Sequence, residues 1–155
     1  MPPGELVRAW RGRLLVASGR HLYASEPLRY GLHDRRHGFI TMPTRIRWIE
    51  PVEGGIFVGQ VDGVRFLRGT AWGELSVEVT GGATPIARAS TRIHPGLLSF
   101  QQQPESECAV WLSPRGFVIG LPSGQIVEPQ AKRIRLAGTR GEIAVNDRRI
   151  IAIIQ

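Results

Sequence analysis

A tryptophan, a glycine and an apolar run recur three times along this chain, each time in a pattern that suits a β-hairpin. The first copy runs from Trp10 through Gly12-Arg-Leu-Leu-Val-Ala-Ser-Gly19 to Arg20-His-Leu-Tyr-Ala. The second has Trp48, then Gly55-Ile-Phe-Val-Gly-Gln-Val-Asp-Gly63 and Val64-Arg-Phe-Leu. The third has Trp111, then Gly116-Phe-Val-Ile-Gly-Leu-Pro-Ser-Gly124 and Gln125-Ile-Val. In each, a nearly continuous apolar run meets a turn ending in glycine and an alternating run follows, which reads as a buried strand, a tight turn and a half-buried strand. Asp62-Gly63 and Ser123-Gly124 read as turn dipeptides, because glycine takes positive φ at no steric cost. A fourth copy without tryptophan closes the chain: Gly141-Glu-Ile-Ala-Val, Asn146-Asp147, then Arg148-Arg-Ile-Ile-Ala-Ile-Ile.

The span from Arg45 to Thr80 reads as one whole unit, since Arg45-Ile-Arg-Trp-Ile and Leu75-Ser-Val-Glu-Val flank its hairpin with period-2 alternation. Four antiparallel strands in about 35 to 45 residues is the spacing of a propeller blade. The predicted fold is therefore all-β, in antiparallel four-stranded units of the β-propeller type, a partial propeller or repeat-built sheet assembly. Few or no helices are expected, because no Gly- and Pro-free stretch of useful length carries an i, i+3, i+4, i+7 apolar stripe. The units fall at about residues 5–24, 45–80, 86–128 and 133–155 of a single domain spanning 1–155. Residues 25–44, with Pro27, Gly31, Gly38 and Pro43, and residues 81–95, with Gly82 and Pro85, read as long loops. A length of 155 residues is enough for one domain with its own core, and 19 Gly and 11 Pro call for frequent turns.

The formal charge is +7, with Lys132 as the one lysine, so arginine supplies nearly all of it. Such a balance can steer a protein towards nucleic acid or acidic protein surfaces. The arginines are scattered, however, with Arg-Arg only at Arg35-Arg36 and Arg148-Arg149, and GC-rich coding gives the same bias. The lone Cys108 cannot form an intramolecular disulfide and suits a reducing compartment. Met1-Pro2-Pro3-Gly4-Glu5 lacks the basic and apolar regions of a signal peptide, and no apolar run approaches the roughly 18 to 20 residues of a membrane span. The expectation is a soluble protein made in a cytoplasm, without a membrane partner.

No constellation for chemistry emerges, and the expectation is no enzyme, no cofactor, no metal and no small-molecule substrate. His33-Asp34-Arg35-Arg36-His37 has the i, i+4 spacing of zinc-binding helices, but the arginines would repel a metal and the region lacks helical patterning. With His21 these histidines read as surface residues. Gly54-Gly55 and Gly81-Gly82 have no helix to open, as phosphate loops require. Asp34, Asp62 and Asp147 each fit a turn, and Cys108 reads as core filler. Trp10, Trp48 and Trp111 occupy matching repeat positions, which favours a shared packing role over stacking platforms for single strands. Trp72, in Thr70-Ala-Trp-Gly, lies outside that pattern and is expected to be exposed.

The stretch Pro2-Pro-Gly-Glu-Leu-Val-Arg-Ala-Trp-Arg-Gly-Arg-Leu-Leu-Val-Ala resembles a segment of uncharacterised structural proteins of phages and prophages. So do Leu22-Tyr-Ala-Ser-Glu-Pro-Leu-Arg-Tyr-Gly-Leu, Gly54-Gly-Ile-Phe-Val-Gly and Trp111-Leu-Ser-Pro-Arg-Gly. The resemblance covers most of Pro2 to Arg135. By pattern that group looks like the propeller-forming nozzle or packaged-DNA-stabilisation proteins of short-tailed phages, whose members look longer upstream, so this chain resembles a shortened or split form. The resemblance implies a tail, neck or nozzle component of a virion, synthesised in a bacterial host cytoplasm. It would act by oligomeric assembly with other virion subunits, with transient DNA contact, and it carries over no catalytic residues. The second expectation is a small basic nucleic-acid-binding β-barrel, using Arg11, Arg13, Arg20, Arg45, Arg47, Arg133, Arg135, Arg148 and Arg149. Finally, Ile150-Ile-Ala-Ile-Ile is too apolar for a free edge, so it is expected to be buried and paired, either with residues 14–17 or with another subunit. Residues 25–44 and 81–95 are expected to carry most partner contacts.

Overall fold

The computed structural model describes residues 1–98 and 104–155. Part of the third sequence unit, residues 99–103, lies outside the described residues. Alternation and turn chemistry produce three four-stranded antiparallel sheets and a hairpin, each sheet a simple meander. The first sheet holds β1 (Leu6–Trp10), β2 (Arg13–Ser18), β3 (His21–Ala24) and β4 (Phe39–Thr41). The second holds β5 (Ile46–Val52), β6 (Gly55–Gln60), β7 (Gly63–Arg68) and β8 (Ser76–Val79). The third holds β9 (Ser90–Ile93), β10 (Cys108–Ser113), β11 (Gly116–Gly120) and β12 (Ile126–Val127), and β13 (Gly141–Asn146) pairs with β14 (Arg149–Ile154). Two single turns of 3-10 helix, Trp72–Glu74 and Pro95–Leu97, are the only helical elements among the described residues. The protein is all-β, with the successive four-stranded units of a propeller-like arrangement.

Turn residues set the registers. Trp10 pairs with Arg13, and Arg11 and Gly12 between them have φ of 45° and 72°, the left-handed pair that a two-residue type I′ hairpin needs. Gln60 pairs with Gly63, so the β6–β7 turn is Val61-Asp62, one residue earlier than the Asp62-Gly63 dipeptide suggests. The β11–β12 turn places Pro122 and Ser123 at its centre, and the Gly124 N–H donates to the Leu121 carbonyl at 2.9 Å.

The sheets stack face to face in chain order, and period-2 alternation decides which residues meet. Leu15, Leu22 and Ala24 of the first sheet meet Ile49, Ile56, Val58 and Leu67 of the second, with Trp10 and Met42 sealing the layer. The second sheet's other face gives Trp48, Phe57, Val64 and Phe66, which meet Trp111 and Val118 of the third. The third sheet's far face, with Ile93, Cys108, Val110 and Ile119, is covered by Ile143 and Ile150 of the hairpin. One polar device ties the first strands of three sheets together. Arg8 on β1 donates to Glu50 on β5, by Nη2 at 2.7 Å and Nε at 3.2 Å, and Ser90 Oγ on β9 donates to the same carboxylate at 2.7 Å.

Four expectations need correcting. The first sheet takes its fourth strand, β4, from within residues 25–44, and β9 occupies the end of 81–95, so neither span is wholly a loop. The third sequence copy is out of phase by one strand: Gly12 and Gly55 lie at hairpins between first and second strands, whereas Gly116 opens the third strand of its sheet. Trp111 therefore sits on a second strand while Trp10 and Trp48 sit on first strands, although all three are buried packing residues. The strands form open stacked sheets, which removes the closed barrel from the second functional expectation. Finally, β14 is paired but not buried: its partner is β13, and Ile151 and Ile153 are 49% and 62% exposed. The reason is that only one face of the hairpin has a sheet to cover.

Candidate functional site

Reactive side chains are dispersed or already engaged. Cys108 is fully buried among Ile93, Val110 and Ile119, and burial pushes its thiol up from the ordinary range, away from the reactive thiolate. It should stay unmodified by a thiol reagent in the native protein and react only as the chain unfolds. Rapid stoichiometric labelling without loss of structure would contradict this packing. His33 and His37 lie on turn and coil, with His37 Nδ1 3.0 Å from Asp34 Oδ2, and among the described residues no group of three His, Cys, Asp or Glu gathers as metal ligands would. Asp62 is a turn brace held well below the usual carboxylate range by the Arg65 guanidinium and the Thr44 hydroxyl. Trp72 is half-buried rather than exposed: its ring meets Trp10 edge-on at 6.3 Å and its Nε1 donates to the His37 carbonyl at 2.9 Å.

What the fold leaves open is the outside of the stack. On the first sheet, residues alternate away from the packed face, so Val7, His21, Tyr23 and Phe39 point outward and are at least partly exposed. Tyr23 gathers His21, His33 and Phe39 around it at ring separations near 6 Å, making an aromatic patch. At the other end, Ile151 and Ile153 of β14 are exposed between Glu142 and Arg149. The hairpin's hydrogen-bonded pairs, such as Arg140 with Gln155, leave the N–H and C=O groups of Ile150, Ala152 and Ile154 facing an edge that no strand pairs among the described residues. The segment before β4 adds Leu28, Tyr30 and Leu32, all exposed, and Leu28 is held at φ 56° by its N–H donating to the Gly12 carbonyl.

The sequence matches no known family model and no curated protein significantly.

Of the arginines expected at a basic surface, Arg11 donates to the Glu53 carbonyl and Arg13 to the Ser25 carbonyl, so they brace turns. Arg45 and Arg47 share one cleft, whereas Arg20, Arg133, Arg135, Arg148 and Arg149 lie elsewhere. Two features were missed by sequence reasoning. The Arg8–Glu50–Ser90 tie had a signal, an acid at a position where Trp48, Ile49 and Val52 lead one to expect apolar residues. The exposed Leu28, Tyr30 and Leu32 had none, because isolated apolar residues in a loop are ordinary.

Proposed function

We propose that this chain is a structural component of a tailed-phage or prophage particle, of tail, neck or nozzle type, acting through protein-protein assembly with other virion subunits. The observation that carries the reading is the open stack: among the described residues, both end faces present apolar side chains and the β14 edge presents backbone groups that pair with no strand, which a partner strand or sheet would satisfy. The resemblance of residues 2–135 to phage structural proteins supports the particle as the place of assembly. Contacts fall chiefly on the segment holding Leu28, Tyr30 and Leu32. In the other segment Pro85, Ile86 and Ala89 are buried within the chain instead.

Mass spectrometry of gradient-purified particles should recover this chain in fixed stoichiometry with the major tail proteins; its absence from intact particles would overturn the reading. At the molecular level, Ile151→Lys with Ile153→Lys should leave the folded spectrum and melting temperature nearly unchanged, since both side chains are already exposed. The same variant should lose concentration-dependent association in sedimentation velocity. A wild-type chain that stays monomeric throughout, or a variant that associates equally well, would remove this face from the proposal.

A second reading, a basic nucleic-acid-binding protein, is favoured by the arginine excess. Each duplex phosphate neutralised contributes a slope of about −0.9 in log affinity against log salt, so binding without a salt slope would eliminate it.

A further inference from the structure

Among the described residues several arginines are matched by carboxylates: Arg8 with Glu50, Arg65 with Asp62, Arg68 with Glu78, Arg92 with Glu107 and Arg115 with Glu128. One sizeable charged recess, lined by Arg68, Glu78, Arg115 and Glu128, is balanced in this way and has no surplus charge to offer a ligand. A different cleft carries a larger excess of arginine. At the end of the stack where the first strands begin, a cleft of about 320 Å³ is lined by Arg45, Arg47, Arg88 and Arg140, with Glu5 as its single carboxylate.

Four separate chain segments build this cleft. Glu5 precedes β1, Arg45 and Arg47 flank the start of β5, Arg88 precedes β9 and Arg140 precedes β13. The backbone fixes their proximity: the Arg88 N–H donates to the Arg47 carbonyl at 3.3 Å, and Ala87 bridges to Arg140 in parallel register. Arg47 is half-buried and anchored by Nη1 on the Pro85 carbonyl, and Arg45 is engaged by Glu5, which it holds below the usual carboxylate range. Arg88 and Arg140 are exposed and have no side-chain acceptor among the described residues. Arg88 also has φ 61°, a left-handed conformation that is uncommon and costs energy for a residue with a side chain.

Holding four guanidiniums against one carboxylate, on a backbone strained at one of them, is unfavourable for the empty cleft and favourable once an anion enters. The fork of N–H donors on each guanidinium fits the oxygens of phosphate groups. We propose that this cleft is a binding site for a phosphate-bearing anion, with Arg88 and Arg140 as its free donors and Arg47 as its fixed floor. The inference is independent of the assembly reading: it concerns the mouth of the inner strands, not the end faces.

Two sources present the same chemistry, a free polyphosphate and the backbone of a single nucleic-acid strand, so tripolyphosphate and a short oligothymidylate are titrated separately by calorimetry. Tripolyphosphate should bind saturably to the wild-type chain. In Arg88→Ala with Arg140→Ala, affinity should fall roughly tenfold or more, as expected for the loss of two charge-assisted donors. Arg35→Ala with Arg36→Ala removes the same net charge from an exposed turn and should bind as the wild type does. Oligothymidylate binding that is tighter than tripolyphosphate binding, with the same dependence on Arg88 and Arg140, would support the site and identify a strand as its source. Tripolyphosphate bound more tightly would support the site and identify a small anion. No saturable binding of either probe, or equal weakening in both double variants, would overturn the proposal. Because all four substituted side chains are exposed, an unchanged circular dichroism spectrum is expected and would separate loss of binding from loss of fold.

Discussion

Arg8→Met is expected to lower unfolding free energy by about 3–5 kcal/mol, the cost typical of stranding one member of a buried ion pair. Glu50 is only 1% exposed, and Arg8 supplies most of its hydrogen bonds, leaving Ser90 Oγ as the remaining side-chain donor among the described residues after substitution. The reverse change is gentler, because Arg8 is about one-third exposed and its guanidinium can turn towards water when Glu50 is lost. The double variant Arg8→Met with Glu50→Leu removes the buried charge altogether and should recover much of the deficit, since apolar replacement of a whole buried pair is often close to neutral. Urea unfolding of the single and double variants measures this directly. If Arg8→Met alone cost less than about 1 kcal/mol, the tie between β1, β5 and β9 would be a surface contact of the kind worth little.

The same tie illustrates where local sequence carries structural information. Hairpins with their turn in a continuous stretch, such as Trp10 to Arg13 and Gln60 to Gly63, were legible to within a residue because turn chemistry and alternation act locally. The third copy slipped by one strand for the same reason: an apolar run, a turn and an alternating run look alike whether they join first to second strands or second to third. What distinguishes them is β9, a four-residue strand separated from β10 by residues 94–107 and too short to show a period. β4 is shorter still and follows a long excursion from β3. The apolar sequence of β14 correctly indicated a strand, but burial depends on what lies beyond it, and that is not encoded within those residues. The arginine cleft draws on positions from 45 to 140, so no local pattern could reveal it.

Trp48→Ala is the second large effect expected, about 3–5 kcal/mol, as for other buried aromatics cut back to a methyl. Its indole lies between the second and third sheets, 4.9 Å from the ring of Trp111, and its Nε1 has no acceptor among the described residues, so packing alone holds it. Directly across the β5–β6 ladder from Trp48 stands Gly59, and a Cβ there would fall inside the indole. Gly120 serves the facing sheet similarly, since its Cβ would come 2.7 Å from the Trp111 ring and 2.6 Å from Phe57. Neither glycine has positive φ, so the requirement is space rather than backbone freedom. Gly59→Ala alone should therefore cost about 1–3 kcal/mol through overpacking, or more if the strands cannot separate. Combined with Trp48→Ala, the same methyl enters the space the indole vacated, and the double variant should be no less stable than Trp48→Ala. The coupling should exceed about 1 kcal/mol, well beyond the few tenths by which independent sites depart from additivity. Strict additivity in a double-mutant cycle would mean that Gly59 yields to its methyl by some other route, and that the glycine closing the apolar run is not there to seat the tryptophan.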